Sequence, residues 1–394
     1  MQTTSPTLTD EDRRFLDRAR ELAHRGRGHV LPNPMVGCVL VREHVVVGEG
    51  WHERYGSAHA EVNAIALAGD NARGSTAYVS LEPCRHEGKT PACTRALIAA
   101  GVARVVFGAA DPGADSSGGA RELAQAGLDV VGPVLSPLEG YRDNPAFFHR
   151  FTSAGDTTPY IAAKLALSLD GAIAAAPGER TQLTGPEAAR ATHELRAGFD
   201  AIVVGANTAR IDDPMLTVRH GFTTRRPLVR IVLDPSASLA ASPGAALQVV
   251  QTARETPTWA ICSEQADAAR VARLEAAGVT VHRVASDVSP ASGDSQASAV
   301  SQHLDPAVVA RVSHEAGLHA VLIEGGGQVV RSFLRQGLIR GLHLLVAPRW
   351  LGHGAVPGFP FDSEDPDGAQ TWHLAAPPRA LGDDVLLTYD RGEF

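Results

Sequence analysis

The sequence predicts two successive α/β domains, and three observations carry that expectation. Between Asp10 and Val131 helical periodicity alternates with short β-branched runs, the same alternation resumes near Tyr160, and the intervening FTSAGDTTPY has Gly, Ser, Thr and Pro but no apolar period. Alternation of this kind implies a sheet covered by helices. At about 100–200 residues per domain, the 394-residue chain holds two, with a boundary near residue 155 and domains over 10–152 and 158–394.

In the first domain a helix is expected near Arg13–Arg25, followed by adjacent strands over VGCVLV and VVVGEGW. A helix over AEVNAIALA, a strand over TAYVSLEP, a helix over ACTRALIAA, a strand over ARVVFGA, a helix over GARELAQAG and a strand at LDVVG complete it. In the second domain IAAKLALSLDG, AIVVGA, LVRIVLD, TWAICS, VTVHRV, AVLIEGG and LHLLVAP read as strands, with helices at PEAARATHELRAG and VVRSFLRQG. The stretch from Ala285 to Leu304, rich in Ser and Ala, buries too little apolar area to order itself and is expected as a mobile surface loop. No fixed-period repeat is visible, which argues against a solenoid.

An apolar fraction of 44% and a charged fraction of 20% fit a globular protein. Acidic residues number 44 against 36 Lys and Arg, and the resulting charge of −8 repels a phosphate backbone, which disfavours a nucleic-acid partner. No apolar run approaches the about 18 residues of a membrane span. The N-terminus has acidic residues where a secretory signal would carry a basic region, so a cytoplasmic protein with no membrane partner is expected. Four cysteines are too few for a disulfide framework, and Cys38 and Cys262, in strand-like runs, read as apolar filler.

The first chemical constellation is His59-Ala60-Glu61 at the opening of a helix, with Pro83-Cys84 at a strand end and Cys93 near the start of another helix. One imidazole and two thiolates suit zinc, and three protein ligands leave a tetrahedral position for water, the mark of a catalytic site. Such water ionises near pH 7 rather than 15.7 and can attack an amidine-like ring carbon, as in deamination. Helix residues two apart diverge by about 200°, so Glu61 faces the water rather than the metal and serves as proton shuttle. The sequence leaves one alternative, a closed structural site completed by His52 or His86.

The runs LPNPMVGCVLV, HAEVNAIALAG and LEPCRHEGKTPAC closely resemble the bifunctional deaminase/reductase family of riboflavin biosynthesis. The resemblance implies a cytidine-deaminase-like three-layer αβα first domain and a dihydrofolate-reductase-like α/β second domain. It implies a pyrimidine ribotide as substrate, zinc and NADPH as cofactors, and a homo-oligomer. By matching position it assigns Asn33, His52, His86, Lys89 and Asp111 to substrate contacts. Physically, Asn33 offers donor and acceptor to a pyrimidine edge, and Lys89 is a point charge for a ribose phosphate; a plain turn between prolines is the bland alternative for Asn33. After Asp111 the family continues Asn-Pro where this chain has Gly113-Ala114.

The second domain has no G-x-G-x-x-G, so a Rossmann domain is not supported. Glu324-Gly325-Gly326-Gly327 follows the apolar run AVLI and precedes a helix, where bare backbone N–H groups cradle phosphate. The likeness continues through AAKLALSLDG, LTGPEA, VVGANTARIDDPMLTVR, LIEGGG, LVAPRWLG and GDDVLLTY. It implies hydride delivery to the anomeric carbon of the ribose, with Asp212 in the proton transfer and Arg196 and Arg219 on the substrate phosphate. Glu324 falls on the substrate side, while Lys164, Asp170, Thr184, Asn207, Thr208 and Gly325–Gly327 line the cofactor cleft. From spacing alone Asp212-Asp213 is a capped turn before Pro214. The family's Ser-x-Trp is Arg180-Thr181-Gln182 here, its basic residue after Ser-Leu-Asp-Gly is Ala172, and its acidic pair is Arg340-Gly341. Those departures keep a second reading, a reductase-like domain that is silent and only binds or assembles.

Overall fold

Thr9 opens the first helix by a reciprocal cap, accepting from Asp12 N while the Asp12 carboxylate accepts from Thr9 N. Helix α1 (Asp10–Ala23) therefore starts a turn earlier than its apolar period alone indicates. The computed structural model describes residues 8–86, 91–152, 155, 157–241, 247–287, 303–360 and 371–392. Its contacts divide the chain into two units, parted between Asp156 and Thr157.

After α1 the first unit runs β1 (Gly37–Arg42), β2 (Val45–Trp51), α2 (Ala60–Ala68), β3 (Thr76–Leu81), α3 (Cys93–Ala99) and β4 (Arg104–Ala109). It ends with α4 (Gly119–Gln125), β5 (Asp129–Val131), α5 (Pro137–Asp143) and α6 (Pro145–His149). The sheet order is β2-β1-β3-β4-β5, antiparallel across β2-β1-β3 and parallel from β3 to β5. Strand side chains alternate between faces. Val39, Val41, Tyr78 and Val106 meet Phe15, Ala19 and Leu22 of α1, and Cys38, Leu40, Val79 and Val105 meet Ala60, Ala64 and Leu97 on the other face. The unit is thus a three-layer αβα sandwich, with Cys38 fully buried as filler.

Helix α2 lies on β2 backbone to backbone. A Cβ at Gly48 would stand 2.3 Å from Ala64 O, and one at Gly50 would stand 2.4 Å from Ala60 O. Asn63 Nδ2 donates to Trp51 O at 2.8 Å and ties the helix to the strand end. Gly50→Ala should therefore cost about 1–3 kcal/mol of overpacking and weaken zinc retention, because α2 must lift and carry His59 with it. A denaturant midpoint and a chelator-competition titration read the two effects; an unshifted midpoint would contradict the packing.

The second unit runs β6 (Tyr160–Leu167), β7 (Ala172–Ala174), α7 (Pro186–Arg196), β8 (Ala201–Gly205), α8 (Ala206–Asp212), β9 (Val229–Leu233) and α9 (Gln248–Gln251). Then follow β10 (Thr258–Ser263), α10 (Ala268–Ala277), β11 (Thr280–Val284), β12 (Ser286–Asp287), β13 (His303–Leu304) and α11 (Pro306–Glu315). The last elements are β14 (Ala320–Glu324), α12 (Gly327–Arg335), β15 (Gly341–Val346), β16 (Val356–Pro357), β17 (His373–Leu381) and β18 (Asp384–Asp390). The nine-stranded sheet has the order β11-β10-β9-β8-β14-β6-β15-β18-β17, with the last two joined antiparallel. Alternation again feeds two cores: Ala201, Val203 and Ile231 pack toward Val330 and Phe333, while Ile202, Val204 and Val232 pack toward Val249 and Leu274.

Several expectations shift. The helix read at VVRSFLRQG begins at Gly327, inside the glycine run. Of the stretch expected as a mobile loop, residues 288–302 lie outside the described residues, and its ends pair as β12 and β13. Helices α8, α10 and α11 and the strands β17 and β18 were not assigned from periodicity. Among the described residues no helix is long and apolar enough to cross a membrane.

Candidate active sites

In the first unit His59 is the N-cap of α2, in an extended backbone conformation, and its side chain does not cap the helix. Its Nδ1 lies 3.2 Å from Cys93 Sγ and 3.5 Å from Cys84 Sγ. A tetrahedral zinc with the usual Zn–N and Zn–S lengths sets such atoms about 3.5 Å apart, so the donor set fits the ion in identity and spacing. These three are the only such metal-ligating group among the described residues. Cys93 is the first residue of α3, and Cys84 leaves β3 through a turn pinned by Glu82. The Glu82 carboxylate accepts from Gly118 N at 3.1 Å, Ala120 N at 3.0 Å and Asp111 N at 3.3 Å. Hydrogen bonding from the Cys93 thiol, with the His59 ring beside it, holds Cys84 well below the ordinary thiol range.

Glu61 is buried, its Oε2 has no hydrogen-bond partner, and burial pushes its carboxyl above the ordinary range. An orphaned carboxylate oxygen beside a three-donor set is what a proton shuttle requires. His52 cannot complete a closed metal site as placed: Nδ1 lies 3.1 Å from Ala58 O, and Nε2 faces Asn33 Nδ2 at 3.3 Å. Burial lowers the His52 pKa, so the neutral ring donates to Ala58 and accepts from Asn33, fixing that amide. Its ring meets that of His59 edge-on at 5.1 Å.

Asp111 is buried, raised by desolvation, and accepts from Gly113 N at 2.8 Å. A Cβ at Gly113 would stand 2.4 Å from Ser116 Oγ, so the departure from the family pattern there is a tightened turn. His86 is exposed, two residues past Cys84, and Lys89 lies outside the described residues. Sequence reasoning missed Asn144, whose side chain accepts from Met35 N at 2.7 Å and donates to Met35 O at 3.0 Å, clamping the Asn33 turn. Its only signal was its place before Pro145.

In the second unit a cavity of about 1460 Å³ opens at the carboxyl ends of the parallel strands. Pockets for single small ligands span about 300–1,000 Å³, so this larger one suits a substrate and a dinucleotide together. Lys164, Asp212, Arg196, Arg219 and Glu324 line it, as do Thr184, Asn207, Thr208 and Gly325–Gly327. Parallel register sets Glu324 beside Lys164. Glu324 takes the Arg196 fork in two bonds, from Nε at 2.6 Å and Nη2 at 2.8 Å, and Arg196 Nη1 donates to Thr217 O at 2.9 Å. Against burial, which raises it, Arg196 holds Glu324 below the ordinary carboxylate range. Burial lowers Lys164 and raises Asp212, with Arg180 and Lys164 pulling Asp212 back.

Gly325 and Gly326 have φ of 86° and 67°, left-handed values that suit glycine. A Cβ at Gly325 would come within 3.0 Å of Thr208 Cγ2, so bare backbone here faces the start of α8, a cradle that fits a cofactor phosphate. Asp170 does not line the cavity. It accepts from Ser168 Oγ at 2.6 Å, Gly352 N at 2.8 Å and Leu351 N at 3.1 Å, bonds that lower its pKa to about 2.

Of the departing residues, Arg180, Thr181 and Gln182 line the cavity, whereas Ala172 is buried in β7. A Cβ at Gly341 would meet Tyr160 Oη at 2.2 Å, which makes that glycine a packing requirement. Missed by sequence was His193, one turn before Arg196, whose Nδ1 accepts from Arg219 N at 3.1 Å. Burial, with Arg196 and Arg219 nearby, lowers it to about 4, so the ring is a neutral acceptor at pH 7.

Two family models match: the cytidine and deoxycytidylate deaminase zinc-binding region over residues 9–109, and the RibD C-terminal domain over 159–375. The riboflavin biosynthesis protein RibD of Aquifex aeolicus is 35% identical over 352 residues, 89% of this chain and 91% of that protein. The RibD of Escherichia coli is 36% identical over 358 residues, 88% of this chain and 90% of that one. Among solved structures, Acinetobacter baumannii RibD superposes with a TM-score of 0.74 at 30% identity, covering 96% of this chain and 98% of that one. A diaminohydroxyphosphoribosylaminopyrimidine deaminase/5-amino-6-(5-phosphoribosylamino)uracil reductase from Thermotoga maritima gives 0.74 at 28% identity with the same coverage.

Proposed function

The chain belongs to the RibD family, the bifunctional deaminase/reductases of riboflavin biosynthesis, and from that premise we propose which step each unit performs and with which residues. Residues 10–152 remove the ring amine of diaminohydroxyphosphoribosylaminopyrimidine, and residues 158–394 reduce the ribosyl group of the deaminated product to ribityl. The observation that carries this reading is the His59, Cys84 and Cys93 triangle beside the unpartnered Glu61 Oε2.

Zinc held by those three residues supplies Lewis acidity and a water that is nucleophilic near neutral pH. Glu61 takes the proton of the attacking water and returns it to the leaving amine. Asn33, oriented by His52, reads the pyrimidine edge, with Asp111 and His86 at the ribose side and Lys89 on the phosphate. In the second unit NADPH supplies hydride. Asp212 gives the proton that opening of the ribose ring to an imine requires, and Arg219 with the Arg196–Glu324 pair grips the substrate. Lys164, Thr184, Asn207, Thr208 and Gly325–Gly327 hold the cofactor, and Asp170, outside the cavity, serves it by fixing the 351–352 turn. The family resemblance also supports a cytoplasmic homo-oligomer.

Incubating zinc-loaded protein with the diaminopyrimidine ribotide, with and without NADPH, tests both halves by product mass. Deaminated ribosyl product is expected without the cofactor and deaminated ribityl product with it. A reaction that stops at the ribosyl compound in both cases would return the second unit to the silent reading.

A further inference from the structure

The turn that carries Asp212 is conformationally expensive. Asp213 is the C-cap of α8 at φ 41°, and Leu216, buried, sits at φ 50°, so two non-glycine residues flanking Pro214 and Met215 occupy the left-handed region. Each such residue is strained and persists only where its surroundings over-determine it. Here both sides of Pro214 are tied to one segment, 248–258. At Asp213, Oδ1 accepts from Gln248 N at 2.7 Å, while Gln248 Nε2 donates to Asp213 O at 2.8 Å. At Met215, the carbonyl accepts from Arg230 Nη1 at 3.3 Å.

Arg230 is the unusual member. It is fully buried in β9, and all its partners are neutral. They are Thr258 Oγ1 from Nε at 3.0 Å, Thr252 Oγ1 from Nη1 at 2.7 Å, and Val249 O and Thr256 O from Nη2 at 3.2 and 2.9 Å. A buried cation is costly to desolvate, and this one spends its fork on stitching α9 and the 252–258 turn to the carbonyl of Met215. The hydrogen bonds all run from Gln248 and Arg230 to acceptors on either side of Pro214, and Asp212, the residue before the clamp, lines the cavity together with Gln248.

We propose that Gln248 and Arg230 are positioning residues for the reduction, holding the strained 212–216 turn so that the Asp212 carboxyl stands in a fixed place against the substrate. The inference rests on the reading of Asp212 as the proton donor. Neither residue touches the reacting atoms; both act through the turn. Displacement of a reacting group by about 1 Å can cost about 100-fold in rate, which sets the scale of the effect.

The test uses the full zinc-loaded chain and the deaminated ribosyl substrate. Gln248→Ala should lower the single-turnover rate of NADPH oxidation by about 10- to 100-fold, with KM, the NADPH dissociation constant, the melting temperature and the deamination rate each little changed. Asp213→Ala, which removes the acceptor of the Gln248 backbone N–H and so the other half of the clamp, should reproduce the loss, and Asp213→Asn, which keeps an Oδ1 acceptor, should rescue most of it. A Gln248→Ala enzyme with unaltered reduction, or one whose reduction falls only in step with melting temperature and cofactor binding, overturns the proposal. Asp212→Asn separates the two layers. If that variant reduces normally, the reading of the acid has failed; if it is inactive while Gln248→Ala is normal, the clamp alone is refuted.

Discussion

Glu61→Gln should retain one zinc per chain and lose deamination by about 100- to 10,000-fold. The expectation follows from the geometry of α2. Glu61 stands outside the donor group of His59, Cys84 and Cys93, so its replacement by glutamine removes no metal ligand. Its Oε2 is buried without a partner, which leaves that oxygen open to a group that arrives with the substrate. Glutamine keeps the volume and one carbonyl oxygen but can neither accept nor return a proton. Elemental analysis gives the zinc content, and ammonia release gives the turnover. Reduction of the deaminated ribosyl compound, assayed on the same sample with NADPH, should be unaffected. Zinc lost together with turnover would make Glu61 a support for the metal, and turnover kept would remove it from the chemistry.

Asp212→Asn should lower reduction by a similar factor, about 100-fold or more, while NADPH still binds, as followed by its fluorescence. The pH dependence gives a second readout. An acid works only while protonated, and burial raises the Asp212 pKa above the ordinary carboxylate value despite Arg180 and Lys164 nearby. Reduction in the native protein should therefore be fullest below that raised pKa and fall as pH climbs through it. In the variant the residual rate should show no such fall. A limb that persists would assign the titration to another group in the cavity, with Lys164, itself lowered by burial, as the first to examine.

The parts of the fold and sites that were legible are those written in short stretches of chain. His59-Ala60-Glu61, Pro83-Cys84 and Cys93 announce themselves because each sits at the boundary of an element with a clear period, and zinc chemistry limits what such a set can be. The glycine run after β14 was legible for the same reason, as a strand end meeting a helix start. Contacts between distant segments were not. Asn144 reaches Met35 across 109 positions, and Asp213 reaches Gln248 across 35. Helix α8, at seven residues, is too short to show a helical period, and β17 carries two adjacent prolines that mask a strand. Asp170 shows what a motif leaves unsaid: its carboxylate accepts from two backbone amides and a serine hydroxyl, contacts no local pattern announces.

The seating of α2 on Gly48 and Gly50 has a mechanical consequence. Most helix–sheet contacts are cushioned by long side chains that trade rotamers as the structure breathes, but here the helix presents Ala60, Ala64 and Ala68 to a strand without Cβ atoms at the points of contact. The points at which His59 and Glu61 leave the backbone are then set by main-chain contact, and they shift only if helix and strand shift together.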